Sequence, residues 1–328
     1  MFGNKKSGYI WTWLRQRCEI TCLLDCPRTT FQPGTDTKTN VLFARRYTAD
    51  ERRKPAKTRI AVAIHCGHDR RGRTHGMDGK ALQDDFAAIA DEHGSTGRTG
   101  RWWSAVALNG GGYLVPRYLA KDRLAGVSDD ELTATAKRAT IGSLVQDGVL
   151  TIRKGHEVGS HAYGTGDIPF IRTSDITNFE ISVDPTKSIS EEIYNEYARQ
   201  QRLRAGDIVM VVDGRYRIGA TAMLSPDNCR AVVQSHLRII SVRKPDVVSP
   251  HALIFALNLP TVKIRLRDLV FVQSTLGTLG SRLLELELPV LGPNGPWTER
   301  VARFETLLRQ REESLTELRR MAGTEVEL

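Results

Sequence analysis

Leu203-Arg204-Ala205-Gly206-Asp207-Ile208-Val209-Met210-Val211-Val212-Asp213-Gly214 places five apolar residues in a row between two turns that each pair glycine with aspartate. A β-rich apolar run of this length, bounded by such turns, reads as a strand, and Asp207–Val212 is assigned as one. Asp207 and Asp213 flank it beside glycines, so both are expected to form turns in which the carboxylate accepts from nearby backbone N–H groups. The same pattern recurs on either side. Val149–Arg153, Pro169–Ile171, Glu180–Val183, Thr221–Leu224 and Leu237–Val242 are further strand candidates, with a helix from Ser190 to about Leu203 among them. This spacing predicts a mixed α+β domain built around an antiparallel sheet. Ser249-Pro250-His251 reads as an N-cap with proline at the first helical position, which starts a short helix over Ala252–Leu257.

Upstream, Ile20–Leu24, Asn40–Ala44 and Arg59–Ile64 are apolar, β-rich runs separated by polar or Gly/Pro-containing connections, as at the end of an α/β domain. Two or three strands leave sheet edges unpaired, so a larger sheet, from another chain or a preceding portion, is expected to complete them. Asp91–Gly100, with Gly94, Gly97 and Gly100, is a polar breaker and the expected linker. Ser128 followed by Glu131 is a capping box predicting a helix to about Ala139. The organisation that follows is residues 1–100, 101–296 and 297–328. In the last segment Val301, Phe304, Leu308, Leu315, Leu318 and Ala322 fall at three- and four-residue offsets, with Arg311 as one polar seam position. That is a long helix with a coiled-coil-like face, expected to dock on a partner helix.

The 328 residues carry 40% hydrophobic and 26% charged residues, the composition of a globular protein. Formal charge is +9, which favours a polyanionic partner because neutralised phosphates release condensed counterions. From Trp297 onward six Arg meet seven Glu, so the excess lies upstream, densest over Arg45–Arg73, where ten Lys/Arg face three Asp/Glu. No apolar run approaches the ~18 residues of a membrane span and no signal-peptide core follows Met1, so a cytoplasmic location without membrane contact is expected. Five cysteines are odd and sparse for a disulfide framework. Cys18, Cys22 and Cys26, with His65, Cys66 and His68, offer zinc-ligating atoms, but Ile20, Leu23 and Leu24 interleave them as in a buried strand.

Residues 18 to 46, with Leu24-Asp25-Cys26-Pro27 and then Thr29-Thr30-Phe31-Gln32-Pro33-Gly34-Thr35-Asp36-Thr37-Lys38-Thr39-Asn40-Val41-Leu42-Phe43, closely resemble the last strands of type I-like adenine-N6 DNA methyltransferases. Those enzymes read Leu-Pro-x-x-x-Phe, a Pro-x-Thr-x-x-Lys-Thr loop and an apolar strand; here Asp25-Cys26-Pro27 replaces the Leu-Pro. Gly67-His68-Asp69-Arg70-Arg71-Gly72-Arg73 continues the likeness, since a Gly-x-Asp-x-x-Gly turn stands at that place in the family. Further on, Gly164-Thr165-Gly166-Asp167-Ile168-Pro169-Phe170-Ile171-Arg172-Thr173-Ser174-Asp175-Ile176, the quoted stretch from Leu203, Val233–Leu237, Gln273–Gly277 and Leu288-Pro289 resemble the target-recognition domain of the specificity subunits of those systems. The resemblance implies an α/β remnant formed by the last strands of a methyltransferase sheet, an α+β target-recognition domain that reads DNA, and a C-terminal long helix acting as spacer or docking arm.

Within that reading, Arg172, Arg215 and Arg217 stand beside turn residues, where side chains project from a rigid sheet, and arginine is the commonest bidentate reader of guanine edges. Thr173, Ser174, Gln234, Ser235 and His236 are candidates for phosphate or base contact, and Arg70 and Arg71 for phosphate contact. Structural salt bridges are the competing role for the arginines, and a satisfied core histidine for His236.

Methyl transfer requires a glycine-rich cofactor turn after a first strand and an Asp/Asn-Pro-Pro-aromatic motif for the flipped adenine. No Pro-Pro occurs, and Gly110-Gly111-Gly112 and Gly164-Thr165-Gly166 lack the strand-then-helix setting. No hydrolase or nuclease constellation stands out either. The chain is therefore expected to bind no cofactor itself, with S-adenosylmethionine held by a methyltransferase subunit or a missing N-terminal portion. Duplex DNA and a restriction subunit complete the expected partners. Two alternatives remain open: the C-terminal part of a single-chain adenine-specific methyltransferase, and a non-catalytic interaction protein of a phage-defence complex.

Overall fold

Strand β1 (Cys18–Asp25) runs antiparallel to β2 (Asn40–Arg46) on one side and parallel to β3 (Lys57–Val62) on the other, and β4 (Trp103–Ala107) pairs antiparallel with β3. The computed structural model describes residues 8–48, 57–96, 100–108, 113–120, 137–177, 179–214, 217–273, 276–290 and 296–322. The sheet order β2-β1-β3-β4 leaves β2 and β4 at its edges. Period-two alternation sends Ile60 and Val62 to one face and Ala61 and Ala63 to the other. On the first face lie Trp11 of α1 (Gly8–Arg17), together with Leu114 and Ala120, which flank α3 (Pro116–Leu119). On the second lie Ile89 of α2 (Phe86–Thr96) and Trp103. Ile20 and Leu23 share a face despite their odd separation because a bulge between Ile20 and Cys22 shifts the register.

At the end of β1, buried Asp25 accepts from Lys38 Nζ at 2.5 Å and Arg117 Nη2 at 2.8 Å. Burial pushes the Lys38 ammonium below its ordinary value. Lys38, in the loop that resembles the methyltransferase motif, thus ties that loop to the strand end.

The stretch expected as a linker is largely helix. Asp84 Oδ1 accepts from Phe86 N at 2.9 Å, Asp85 Oδ2 accepts from Ile64 and His65 N–H groups, and Ile89 is driven under the sheet, so α2 forms with Gly94 inside it. Of the polar residues that read as a breaker, Glu92 accepts from the Trp102 and Trp103 N–H groups and His93 packs on Trp103; 97–99 lie outside the described residues. The first compact unit accordingly continues past residue 100, comprising 1–126 with 268–277, where β15 (Phe271–Gln273) lies. The second comprises 127–267 and 278–328.

Most of the helix expected from Ser128 lies outside the described residues, but its predicted end does not form. Lys137–Thr140 is β5, antiparallel to Glu287–Val290, because Ala139 finds a ladder partner in Leu288. The helix begins only at Ile141, where Thr140 Oγ1 accepts from Ser143 N at 3.0 Å and caps α4 (Ile141–Gln146).

The second unit is organised on a four-stranded antiparallel sheet, in the order Thr221–Met223, Ile208–Val211, Leu237–Val242, Leu150–Lys154. The run quoted from Leu203 is its inner strand, fully buried on both faces, which is why it reads as continuous rather than alternating. Asp207 does form the predicted turn, accepting from Arg204 N at 3.1 Å, and also holds Arg153 Nη2 at 2.7 Å and Ser241 Oγ at 2.5 Å. Helix α5 (Glu191–Gln201) and helix α6 (Pro250–Asn258) lie where predicted, and Ser249 Oγ caps α6 by accepting from Ala252 N at 3.0 Å. Helix α7 (Pro260–Leu269) follows, and α8 (Pro296–Met321) closes the chain.

The seam of α8 does not await a partner along its length. Trp297 and Val301 are buried, and Phe304 packs on Phe255 and Phe179 with ring centroids 5.2 and 5.4 Å apart. Leu308 and Leu315 line a groove with Phe179, Ile181 and Met223. Arg311, the one polar seam position, pairs with Glu180. The apolar face was wasted only for an isolated helix; the unit's own surface covers it. Leu318, 61% exposed, is the seam leucine that stays outside.

Candidate nucleic-acid interface

Within the second unit, the short parallel pair β7 (Phe170–Ile171) and β13 (Val232–Val233) brings the 172–175 and 234–236 segments side by side. Gln234 N donates to Ile171 O at 2.9 Å and its Oε1 accepts from Thr173 N at 3.3 Å, so one turn is docked on the other. Gly155 lets its own segment approach the second turn closely: a Cβ there would stand 2.0 Å from Gln234 O. Gln201, wholly buried, holds the Val233 end from below, with Val233 N donating to its Oε1 and its Nε2 donating to Val233 O.

Asp175 shapes the first turn. Its carboxylate accepts from Arg172 N at 2.9 Å and Ser174 Oγ at 2.8 Å, and pairs with Arg172 Nη2 at 3.2 Å. The same guanidinium meets Asp184 at 3.2 Å. The Thr186 hydroxyl, with Arg172 adding to it, holds the Asp184 carboxyl below its ordinary value. Arg172, 18% exposed at its side chain, therefore serves the scaffold of the turn. Arg217 serves it from outside, donating from Nη1 to Ser174 O at 2.7 Å, Ile176 O at 3.0 Å and Thr177 Oγ1 at 3.1 Å. Arg215 lies outside the described residues.

In the second turn, Ser235 Oγ donates to the Glu157 carboxylate and Leu237 N donates to Gln234 O at 3.0 Å. Arg238 Nη1 donates to the carbonyls of Ser235 and Leu237, and burial lowers its guanidinium from the ordinary value. His236 is half in solvent, its Nδ1 4.0 Å from Asp213 Oδ2. It is thus a surface residue beside an aspartate and not a core histidine. Arg172, Thr173, Ser174, Arg217, Gln234, Ser235 and His236, spread over 65 positions of sequence, form one linked polar cluster.

Arg70 and Arg71 belong to the first unit, in the excursion 66–84. Asp69 fixes their turn by accepting from Arg71 N at 2.8 Å, Arg73 N at 3.0 Å and Arg73 Nε at 2.8 Å. The hydrogen bonds from Arg73 bring its carboxyl down to about 2. Arg70 and Arg71 are exposed.

The sequence reading missed Glu157, Gln201 and Arg238, which hold the second turn; Glu157 and Gln201 act on groups distant in sequence, which no local pattern marks, whereas Arg238 acts on carbonyls within three residues of itself. Among the described residues no group of three or more His, Cys, Asp and Glu is placed to hold a metal ion. Cys22 and Cys26 are buried, and burial raises both thiols. Gly164 sits in a turn that follows the 3-10 helix Ser160–Ala162, its N–H donating to Ser188 O, and the chain then leads into the strand Phe170–Ile171 and not into a helix. Among the described residues no helix is long and apolar enough to cross a membrane.

No protein-family model matches the chain and no curated protein matches it. Among solved structures it is similar to a type I restriction-modification S subunit from M. genitalium, at 15% identity and a TM-score of 0.39, covering 60% of this chain and 45% of that one. It is similar also to an HsdS subunit from Thermoanaerobacter tengcongensis, at 18% identity and a TM-score of 0.33, covering 56% and 39%. A third likeness, at 18% identity and a TM-score of 0.32, covers 56% of this chain and 43% of a chain from a study of assembly and conformational transition in the type I R-M system. The chain spans less than half the length of each of these neighbours.

Proposed function

We propose that this chain is a sequence-specific DNA-recognition component of a restriction-modification system that methylates adenine at N6. The observation that carries the reading is the convergence of Arg172–Ser174, Arg217 and Gln234–His236 into one cluster on a rigid antiparallel unit. Glutamine pairs bidentately with adenine, serine and threonine pair with several bases, and a rigid base limits the loss of specificity through motion. Arg172 and Arg217 hold the turn that presents Thr173 and Ser174, and Arg70 and Arg71 supply phosphate contacts that position without reading. Duplex DNA, a methyltransferase part and a restriction subunit are the proposed partners.

The test is selection from a random duplex library with the full chain, followed by sequencing of the retained fraction. A discrete enriched motif is expected, and retention without sequence preference would overturn the reading. S-adenosylmethionine is proposed to bind the completing methyltransferase part; calorimetry of the cofactor against this chain should give no isotherm, and stoichiometric binding would contradict it. A second reading, the C-terminal part of a single-chain methyltransferase, is favoured by one feature: the Lys38 loop that resembles that family is built into the sheet through Asp25. Restoration of methyl transfer by a covalently joined cofactor domain, but not by the same domain added separately, distinguishes it.

A further inference from the structure

Helix α7 buries Val262 and Leu266 and carries Lys263 and Arg267 one turn apart. Residues four apart share a helix face, and like charges in that relation repel. Among the described residues neither cation meets a carboxylate. Lys263 Nζ donates to the carbonyl of Gly219, and Arg267 is exposed. Burial, with Arg267 beside it, pushes the Lys263 ammonium down to about 8. A half-buried cation next to a second cation destabilises the chain unless an anion from outside completes it.

The position of this pair gives the anion. Gly219 belongs to the turn in which Ala220 N donates to Arg217 O at 2.8 Å and Gly219 N to Val211 O at 2.8 Å. Arg217 of that turn reaches back to Ser174 in the candidate reading cluster. Gly219 has φ +88°, and a Cβ there would stand 2.9 Å from Leu266 Cδ2, so turn and helix are in direct contact. Lys263 is therefore joined to the reading cluster through a single packed turn, with Arg267 one helical turn further along α7, as backbone contacts flank base contacts on a duplex.

We propose that Lys263 and Arg267 form a phosphate clamp that takes the sugar-phosphate backbone of duplex DNA beside the reading cluster. The proposal rests on the DNA-recognition reading. Lys263 ties the clamp to the turn, because its ammonium is anchored on Gly219 O.

The experiment uses the full chain and a labelled random-sequence duplex, with binding followed by fluorescence anisotropy from low to moderate salt. Lys263→Met preserves the side chain's stem and removes its charge; Arg267→Gln changes an exposed position. Each substitution should flatten the slope of log K against log salt by about 0.9, and the double variant by about twice that. The loss should be equal on the enriched motif and on scrambled duplex. Should Lys263→Met lower the thermal midpoint, Arg267→Gln alone carries the test. A folded Arg267→Gln chain with the wild-type slope overturns the clamp and leaves the DNA reading standing. A wild-type chain with no salt-dependent duplex binding overturns both.

Discussion

The turn at Asp69–Arg73 and the turn at Arg172–Asp175 are built on the same device, an aspartate that collects neighbouring N–H groups, and both carry arginines, yet they use them in opposite ways. Asp69 is half-buried, its side chain 29% exposed against 3% for Asp175; it takes Arg73, and Arg70 and Arg71 are exposed. Asp175 is buried; it takes Arg172, and Asp184 takes the rest of that guanidinium. A buried carboxylate needs a partner to offset its desolvation, so the nearest arginine becomes scaffold. A carboxylate still partly in water is offset by two backbone N–H groups and one arginine. An arginine beside a turn is thus read by the burial of the acid next to it, not by its place in the motif.

The contrast is sharpest in stability. Asp175→Ala removes the acceptor of a buried pair and of two further hydrogen bonds, and should lower unfolding free energy by about 3 kcal/mol in urea titration. Asp69→Ala should cost much less, and the reverse order would break the comparison. Gln201→Leu should cost about 1 to 3 kcal/mol in the same assay, because the Val233 N–H is left buried without its acceptor, while Val233 O keeps only His156 N.

In binding, Arg217→Ala should lose about 1 to 3 kcal/mol on the enriched motif with little loss on random duplex, since the turn presenting Thr173 and Ser174 loosens. Arg70→Ala with Arg71→Ala should instead weaken every duplex and flatten the salt slope by about one unit per contact. Equal losses on both duplexes for Arg217→Ala would place the reading surface elsewhere.

Smaller effects follow. Leu318→Glu, at the exposed end of the seam, should change stability by no more than about 0.5 kcal/mol, whereas Val301→Ala, in the covered part, should cost more than that. A large loss for Leu318→Glu would mean that the end of α8 is covered after all. Acid should open the Asp69 turn locally. Its carboxyl is depressed in the folded chain, so its contribution is complete above the unfolded value near 4 and is lost as pH falls through about 2. Protection of the Arg71 and Arg73 amides, measured as hydrogen exchange relative to the intrinsic rate at each pH, should fall over that range, and unchanged protection at pH 2 would contradict the role of Asp69 in holding the turn.

Local pattern by itself determined the strands Leu237–Val242 and Leu150–Lys154, the helix from Glu191, the Ser249 cap and the long C-terminal helix, because each carries its period or its cap within a dozen residues. It also named residues of two turns, 172–175 and 234–236, that the fold brings side by side. What it misjudged depended on contacts made at a distance. Asp91–Thr96 became helix because Ile89 and the Asp84–Asp85 pair anchor the preceding turn, and Lys137–Thr140 became strand because Glu287–Val290 pairs with it. The seam of α8 was real, but sequence cannot say which surface covers an apolar face, and here Phe179 and Phe255 do. The division of the arginines into scaffold and surface was likewise decided only by folding, since the burial of Asp175 and the partial exposure of Asp69 are properties of the packed chain and not of the motifs that contain them.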